Sequence, residues 1–571
     1  MIKKRLEALR GLMKQHNIYA YIIPTTDFHG SEYVNSHFKA REFMSGFTGS
    51  AGTLLITLSE ALLWTDGRYF LQAAEELDGS GIKLMKMGEP GVPTINEWIA
   101  GAAGGALGFD SRLVSAKEAQ KLIESTATGG SFVDVDLISE IWEDRPELTS
   151  NGTYPLYLDV TGETSESKLA RVREKMKQIG ADYHLITSLE EIAWLNNLRG
   201  SDINYTPVFY AFELISKEDA KLYLVSDGSY ENIYEDLRNI KGSILLDSNK
   251  VNYRLYSQLG GTARIIDAPD PEELMMALKN DVEIAATRNA HIKDGIAIVN
   301  FIYWLKASIG VLPINEISAA DYLELERRKQ PGFKDLSFET ISAYGPHGAI
   351  VHYAPDFKSN AKLQSEGLLL VDSGAHYTDG TTDITRTIAL GPLSDKMKDH
   401  YTAVLKGHIA LATAEFTADE ANGEPAYASA DGAALDKIAR LPINDIGQDY
   451  KHGTGHGVGH ILSVHEGPQF ISPRGAGQPV LAGMITSNEP GIYIEGEYGI
   501  RLENELLCIK KDDHLAFETI TYAPFDKEAI NFDELTDSEL AWLRNYHQRV
   551  YDVLAPHLEE HPRQWLKEQL I

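Results

Sequence analysis

The stretch LLLVDSGAHYTDGTTDITRT, residues 368–387, decides the fold. Its first four residues, Leu368-Leu369-Leu370-Val371, are an apolar run of strand length that ends at Asp372. A turn through Asp379-Gly380 leads to Asp383, which opens a second strand, Ile384 to Leu390. The spacing predicts a hairpin that delivers two carboxylates to one edge. A carboxylate at the edge of an apolar strand is costly unless it meets a cation.

A second segment is built in the same way. Met484 to Ser487 reads as a strand, and Glu489-Pro490-Gly491 interrupts it. A turn through Glu495-Gly496-Glu497 then returns along Gly499-Ile500-Arg501-Leu502-Glu503. A single case of this kind is commonly a cap or a surface salt bridge. Two hairpins of this design in one domain argue for a shared cation.

Between them lies HGTGHGVGH, His452 to His460, with glycine at every second position. In an extended chain the glycines take one face, and His452, Thr454, His456, Val458 and His460 take the other. The bare face admits another backbone or a ligand. The phosphate-cradling G-x-G-x-x-G pattern fails, because Val458 stands where its third glycine belongs. The zincin H-E-x-x-H is absent as well. His352 in Ile350-Val351-His352-Tyr353 and His465 in Val464-His465-Glu466-Gly467 sit beside apolar residues. A lone histidine in such a place is more often a satisfied core residue.

Asp372, Asp383, Glu489 and Glu503 bring four negative charges, and one histidine brings none. Two divalent cations neutralise such a set, whereas bare like charges would force protonation. Four oxygens and one nitrogen favour manganese first, then cobalt or zinc. Paired cations of this kind hold a hydroxide as nucleophile and polarise a carbonyl.

The rest of the chain frames this centre. At 571 residues it exceeds one core and implies about three domains. The net charge of −30, from 83 acidic and 53 basic residues, argues against nucleic acid and anionic membrane as partners. The single cysteine, Cys508, excludes internal disulfides and cysteine-rich metal sites, and its run Leu506 to Ile509 reads as a buried strand. The N-terminus is an amphipathic helix without the apolar core of a signal peptide, and the apolar stretch Gly295 to Leu305 is too short to span a bilayer. A cytoplasmic enzyme is expected, in which the sequon Asn151-Gly152-Thr153 has no role.

The first half repeats itself. Leu6, Leu9, Arg10, Met13, Lys14 and Gln15 before Tyr21-Ile22-Ile23 return as Leu169, Val172, Arg173, Met176, Lys177 and Gln178 before His184-Leu185-Ile186. The turn Thr65-Asp66-Gly67-Arg68-Tyr69 returns as Ser226-Asp227-Gly228-Ser229-Tyr230. Two tandem α/β units are predicted, joined in the polar stretch Arg145 to Gly152. From about Asn280 a long helical pattern begins, and an α+β domain follows. That domain includes a helix from Asp395 to Phe416 and a terminal helix with a capping box, Thr536 to Glu539.

Taken together, VDSGAHYTDGTTDITRT, HGTGHGVG, SNEPGIY and GIRLEN resemble the pita-bread metallopeptidases. The likeness is nearest to the three-domain cytosolic aminopeptidase P, and SGFTGSAGT, WTDGRYFLQA and LNNLRGSD extend it over nearly the whole chain. It implies two creatinase-like α/β domains, 1–150 and 151–277, before a pita-bread catalytic domain with a C-terminal helical tail, 278–571. It also implies hydrolysis of the bond between an N-terminal residue and a penultimate proline by a hydroxide between two divalent metals. Asp372 would bind one metal, His456 and Glu489 the other, and Asp383 and Glu503 would bridge. Glu489 would also accept the nucleophile's proton. His352, His452 and His465 would orient substrate and stabilise the tetrahedral intermediate, Arg501 would support the bridging carboxylate, and Tyr493 matches a further active-site aromatic. Peptide substrates, a homodimer and a cytoplasmic location go with the resemblance.

Prolidase shares the metal site but usually lacks the second repeat. Methionine aminopeptidase lacks the long N-terminal half. Creatinase-type enzymes and non-catalytic pita-bread proteins lose ligands that are all present here.

Overall fold

A computed structural model describes the chain apart from residues 103, 127–130, 418–427, 430 and 476. The chain forms two compact units, Met1–Leu156 with Glu163–Glu273, and Tyr157–Gly162 with Leu274–Ile571.

The first unit holds the repeat. Its opening helix, Ile2–Gln15, buries Leu6, Leu9 and Met13, one face of a 3.6-residue period. The strand that follows, Ile18–Pro24, lies inside a six-stranded sheet between antiparallel Thr53–Thr57 and parallel Ala106–Phe109. The second copy runs from helix Ser165–Ile179 into strand Tyr183–Ile186. That strand again lies between an antiparallel neighbour, Ala211–Ser216, and a parallel one, Gly242–Leu246. The sequence repeat is therefore a duplicated sheet. The copies are joined by Asn252, whose amide donates to the Phe28 carbonyl at 2.8 Å.

The second unit begins with helix Asp281–Ser308. Asn280 caps it through a reciprocal box with Glu283. The Asn280 amide also donates to the Thr161 carbonyl at 2.9 Å and ties in the short 157–162 segment. A three-stranded antiparallel sheet follows, ordered Ile341–Tyr344, Leu368–Ser373, Ile384–Ala389. In the larger sheet, Ile485–Asn488 pairs with Asn504–Lys511 on one side and with Gly455–Gly457 on the other. Cys508 is buried in Asn504–Lys511.

Two expectations need correction. The hairpin of residues 368–390 forms, but its tip leaves the sheet. Ala375–Tyr377 and Gly380–Thr381 pair with each other, and Ala375–Tyr377 also pairs with Phe333–Leu336, in a separate sheet. Gly374 permits the departure, because a Cβ there would fall on the Thr382 carbonyl and the Ser337 hydroxyl. The helix expected to reach Phe416 stops at Ala412. Phe416 lies instead in strand Glu415–Thr417, fully buried with Leu435, Leu506 and Leu515. Tertiary packing overrides the local helical period there.

Helix Asp537–Leu554 carries the expected Thr536–Glu539 box and turns Leu543, Tyr546, Val550 and Leu554 into the core, but it is followed by a further helix, Glu560–Glu568. Among the described residues no helix is long and apolar enough to cross a membrane.

Candidate metal centre

Strand register brings the acidic residues together. In the larger sheet Ser487 faces Glu505 and Asn488 faces Asn504, so the next step sets Glu489 against Glu503. In the smaller sheet Asp372 faces Thr385, two residues beyond Asp383. The sheets are joined at this edge by the Glu503 amide, which donates to the Thr385 carbonyl at 3.1 Å. The Asp383 amide likewise donates to the Glu505 carboxylate at 2.8 Å. Both carboxylate pairs thus converge, and Asp383, His456 and Glu503 each offer one ligand atom within a 4.8 Å span.

The oxygens in this cluster look like metal ligands. Asp372 Oδ1 and Asp383 Oδ1 are buried without a hydrogen-bond partner, which is costly unless a cation completes them. His456 Nδ1 donates to its neighbour's carbonyl, Gly457 O, at 2.9 Å. That leaves the Nε2 lone pair facing Asp383 Oδ2 and Glu489 Oε1, each at 3.6 Å. This is the usual arrangement of a ligating imidazole, with one nitrogen anchored and the other turned to the metal.

Electrostatics agree. Burial, and after it the charges of Glu503, Asp372, Glu489 and Glu505, push the Asp383 carboxyl well above the ordinary carboxylate range. Burial and the charges of Asp372 and Glu489 raise Glu503 in the same way, against the Thr385 hydroxyl and Arg501. The cluster therefore resists full ionisation without cations.

A chain of hydrogen bonds borders the cluster. Arg501 donates to Asp372 Oδ2 from Nε at 3.1 Å and from a terminal nitrogen at 2.6 Å. Its other terminal nitrogen donates to the Tyr493 hydroxyl at 2.7 Å, and that oxygen lies 2.8 Å from His452 Nε2. Since His452 Nδ1 is 2.7 Å from the Gly453 carbonyl, the ring carries its proton on Nδ1 and accepts from Tyr493 on Nε2. Burial works against the Arg501 charge, yet Tyr493, Asp372 and Glu489 hold its pKa well above the ordinary value.

The expected support of Glu503 by Arg501 is indirect. Arg501 closes a strand and Glu503 lies past its end, so the guanidinium turns to Asp372. The Thr385 hydroxyl connects them, accepting from Arg501 Nε at 3.2 Å and donating to Glu503 at 2.7 Å.

The histidines divide. The His465 ring meets His456 edge-on at 4.4 Å. His352 follows Val351, whose carbonyl accepts from Arg501 at 3.3 Å. His460, expected on one face with His452 and His456, leaves the cluster. The extended segment covers only Gly455–Gly457 and is bulged, and Ile461 takes a left-handed φ of 52°. His460 then meets Thr287 at 3.1 Å and the Val160 carbonyl at 3.1 Å. The glycine face behaves as anticipated, since a Cβ at Gly455 or Gly457 would strike the carbonyl of Ser487 or Glu466.

Three residues of the site carry no conspicuous sequence mark: Thr385, Glu505 and His291. Glu505 orients Asp383 and pairs with His291 at 3.0 Å. Its period-two spacing from Glu503 is the one available signal. His291 lies on a distant helix and gives none.

The pattern described as "Metallopeptidase family M24" matches residues 285–510, and "C-terminal region of peptidase_M24" matches 513–570. "Creatinase/Prolidase N-terminal domain" patterns match 5–143 and 144–283. The chain is 37% identical to "Xaa-Pro aminopeptidase 1" of Dictyostelium discoideum, over 100% of this chain and 96% of that one. It is 36% identical to "Aminopeptidase P1" of Arabidopsis thaliana, over 99% and 98%. A solved structure, X-prolyl aminopeptidase from Caenorhabditis elegans, described as "a cytosolic enzyme with a di-nuclear active site", superposes with a TM-score of 0.94 at 33% identity, covering 100% of this chain and 99% of that one. Two creatinase-type N-terminal domains thus precede an M24 catalytic domain, and the chain belongs to the aminopeptidase P family of M24 metallopeptidases.

Proposed function

We propose that this chain is a metal-dependent Xaa-Pro aminopeptidase, releasing the N-terminal residue from peptides whose second residue is proline. The observation that carries it is His456 Nε2 poised 3.6 Å from oxygens of both Asp383 and Glu489, beside buried carboxylate oxygens that lack a partner.

Asp372, Asp383, His456, Glu489 and Glu503 would hold the two cations, with Asp383, His456 and Glu503 offering ligand atoms within 4.8 Å of one another. When bound, two divalent cations supply Lewis acidity and lower the pKa of water for amide hydrolysis. Manganese suits the oxygen-rich set best, with cobalt or zinc next.

The chain's own residues do the rest. Glu489 accepts the proton of the attacking water. His452, held in one tautomer by Gly453 and Tyr493, lies 3.9 Å from Glu489 and orients the substrate. His352 and His465 contribute to stabilising the oxyanion. The amide before proline is tertiary and has no N–H, so strand-like recognition of that bond is unavailable to the site. Proline leaves as a basic amine that takes up a proton.

The domain limits are 1–150, 151–277 and 278–571. The enzyme is a cytoplasmic homodimer, a location supported by the likeness to the cytosolic C. elegans enzyme. Protein stripped by chelator should lose Xaa-Pro-Yaa hydrolysis and regain it with manganese, whereas full activity in metal-free protein would refute the reading. Cleavage confined to Xaa-Pro dipeptides would make it a prolidase.

A further inference from the structure

Outside the metal cluster, one buried carboxylate organises a whole loop. Glu316 is fully buried in the first turn of helix Glu316–Arg328. Its Oε1 accepts from the Tyr344 amide at 2.8 Å and meets His347 Nδ1 at 2.7 Å. Its Oε2 accepts from the Tyr353 hydroxyl at 2.9 Å and from the Ala361 amide at 2.6 Å. Four donors saturate a carboxylate. Two of them are backbone amides, so both ends of the 344–361 segment are fixed to one side chain. The other two are rings within that segment, His347 and Tyr353, stacked at 4.4 Å.

The opposite side of the segment rests on the metal centre. Gly348 is pressed against Gly499, Val351 accepts from Arg501, and Tyr353 packs in a cluster that includes Tyr493. His352 sits between Val351 and Tyr353. Its backbone is thus held from both sides, by Arg501 through Val351 and by Glu316 through Tyr353. Nothing in the metal cluster uses Glu316, and a helix cap needs no side chain that accepts four remote bonds.

We propose that Glu316 is a positioning residue for His352, fixing the loop that presents this imidazole to the substrate carbonyl. The inference rests on the peptidase reading above. A glutamine at 316 keeps the volume, but its NH2 cannot accept from the backbone amide of Tyr344 or Ala361 that it would face, so at least one end of the segment is released.

The test is a double-mutant cycle of Glu316→Gln with His352→Ala in manganese-loaded protein, following hydrolysis of an Xaa-Pro-Yaa peptide. Glu316→Gln should lower kcat by roughly 10- to 100-fold, with little change in KM. On the His352→Ala background the same change should cost less than about twofold. Manganese affinity, measured by calorimetry on metal-stripped protein, should not move. Equal losses on both backgrounds, or full activity of Glu316→Gln, would overturn the proposal. Should Glu316→Gln fail to fold, Tyr353→Phe removes one of the four bonds and must show the same dependence on His352; an additive result refutes it. Wild-type protein that leaves Xaa-Pro peptides intact would overturn the peptidase reading and this inference together. Cleavage with an additive cycle removes the inference alone.

Discussion

Arg501 grips one oxygen of Asp372, Oδ2, with two nitrogens at 3.1 and 2.6 Å, and leaves Oδ1 buried without a hydrogen bond. One half of the carboxylate is held by protein, and the other half is open to the proposed cation. Arg501→Ala should therefore destabilise the metal-free protein by about 3–5 kcal/mol, the usual result of breaking a buried ion pair. Manganese should restore part of that loss, because it supplies positive charge to the same side chain. Thermal unfolding with and without chelator checks this: the shift produced by manganese should be larger in the variant than in the wild type.

Asp383→Asn should separate stability from activity. The wild-type carboxyl is raised by burial and by Glu503, Asp372 and Glu489. Removing its charge should stabilise the metal-free protein by roughly 1 kcal/mol, while hydrolysis falls by more than about 100-fold. A variant that melts lower than the wild type under chelation would contradict the like-charge account of this cluster.

The first unit carries its own pH dependence. His184 is buried. Burial opposes its charge, but Glu272 at 3.0 Å and then Asp270 raise its pKa from 6.5 to about 9. A group raised in the folded state stabilises fully below its unfolded value, and that contribution disappears as pH climbs through the folded one. Stability from His184 is thus complete below 6.5 and lost by about 9. Glu213, raised from 4.5 to about 7 by burial, acts in the same direction over a lower window. Hydrogen exchange of the Tyr183–Ile186 amides should quicken, beyond the intrinsic rate change, between these limits. In His184→Gln the upper part of that dependence should vanish.

Gly499→Ala tests the close approach beneath the site. A Cβ at 499 would overlap the Gly348 carbonyl, which is backbone and cannot swing away. The expected cost is about 1–3 kcal/mol, the usual range for overpacking. Activity should drop as well, since the displaced segment carries His352. Denaturant unfolding and steady-state kinetics on one preparation measure both.

The duplication and both carboxylate hairpins were legible in the sequence because they depend on local patterns. Leu6, Leu9 and Met13 recur as a spaced apolar face, and the apolar run Leu368 to Val371 ends abruptly at Asp372. Four of the metal-set residues, Asp372, Asp383, His456 and Glu489, stand close to a glycine or a proline that makes them conspicuous in the sequence. What escaped depends on long-range geometry. Phe416 has a helix-compatible spacing, and only its partners Leu435 and Leu515 make it a strand residue. His460 obeys the same alternation as His456, yet the left-handed Ile461 beside it ends the extended run. The partner of Arg501 depended on where a strand stops, and period alone could not distinguish Asp372 from Glu503.

The six residues Tyr157–Gly162 belong to the C-terminal unit although both flanks belong to the other. The Val160 carbonyl meets His460, and the Thr161 carbonyl accepts from Asn280. During synthesis this strap emerges from the ribosome before either partner exists, and its carbonyls stay hydrated until Asn280, near the middle of the chain, and His460, in its last third, arrive. A polypeptide begun at residue 278 would contain every proposed ligand and still lack a piece of its own wall.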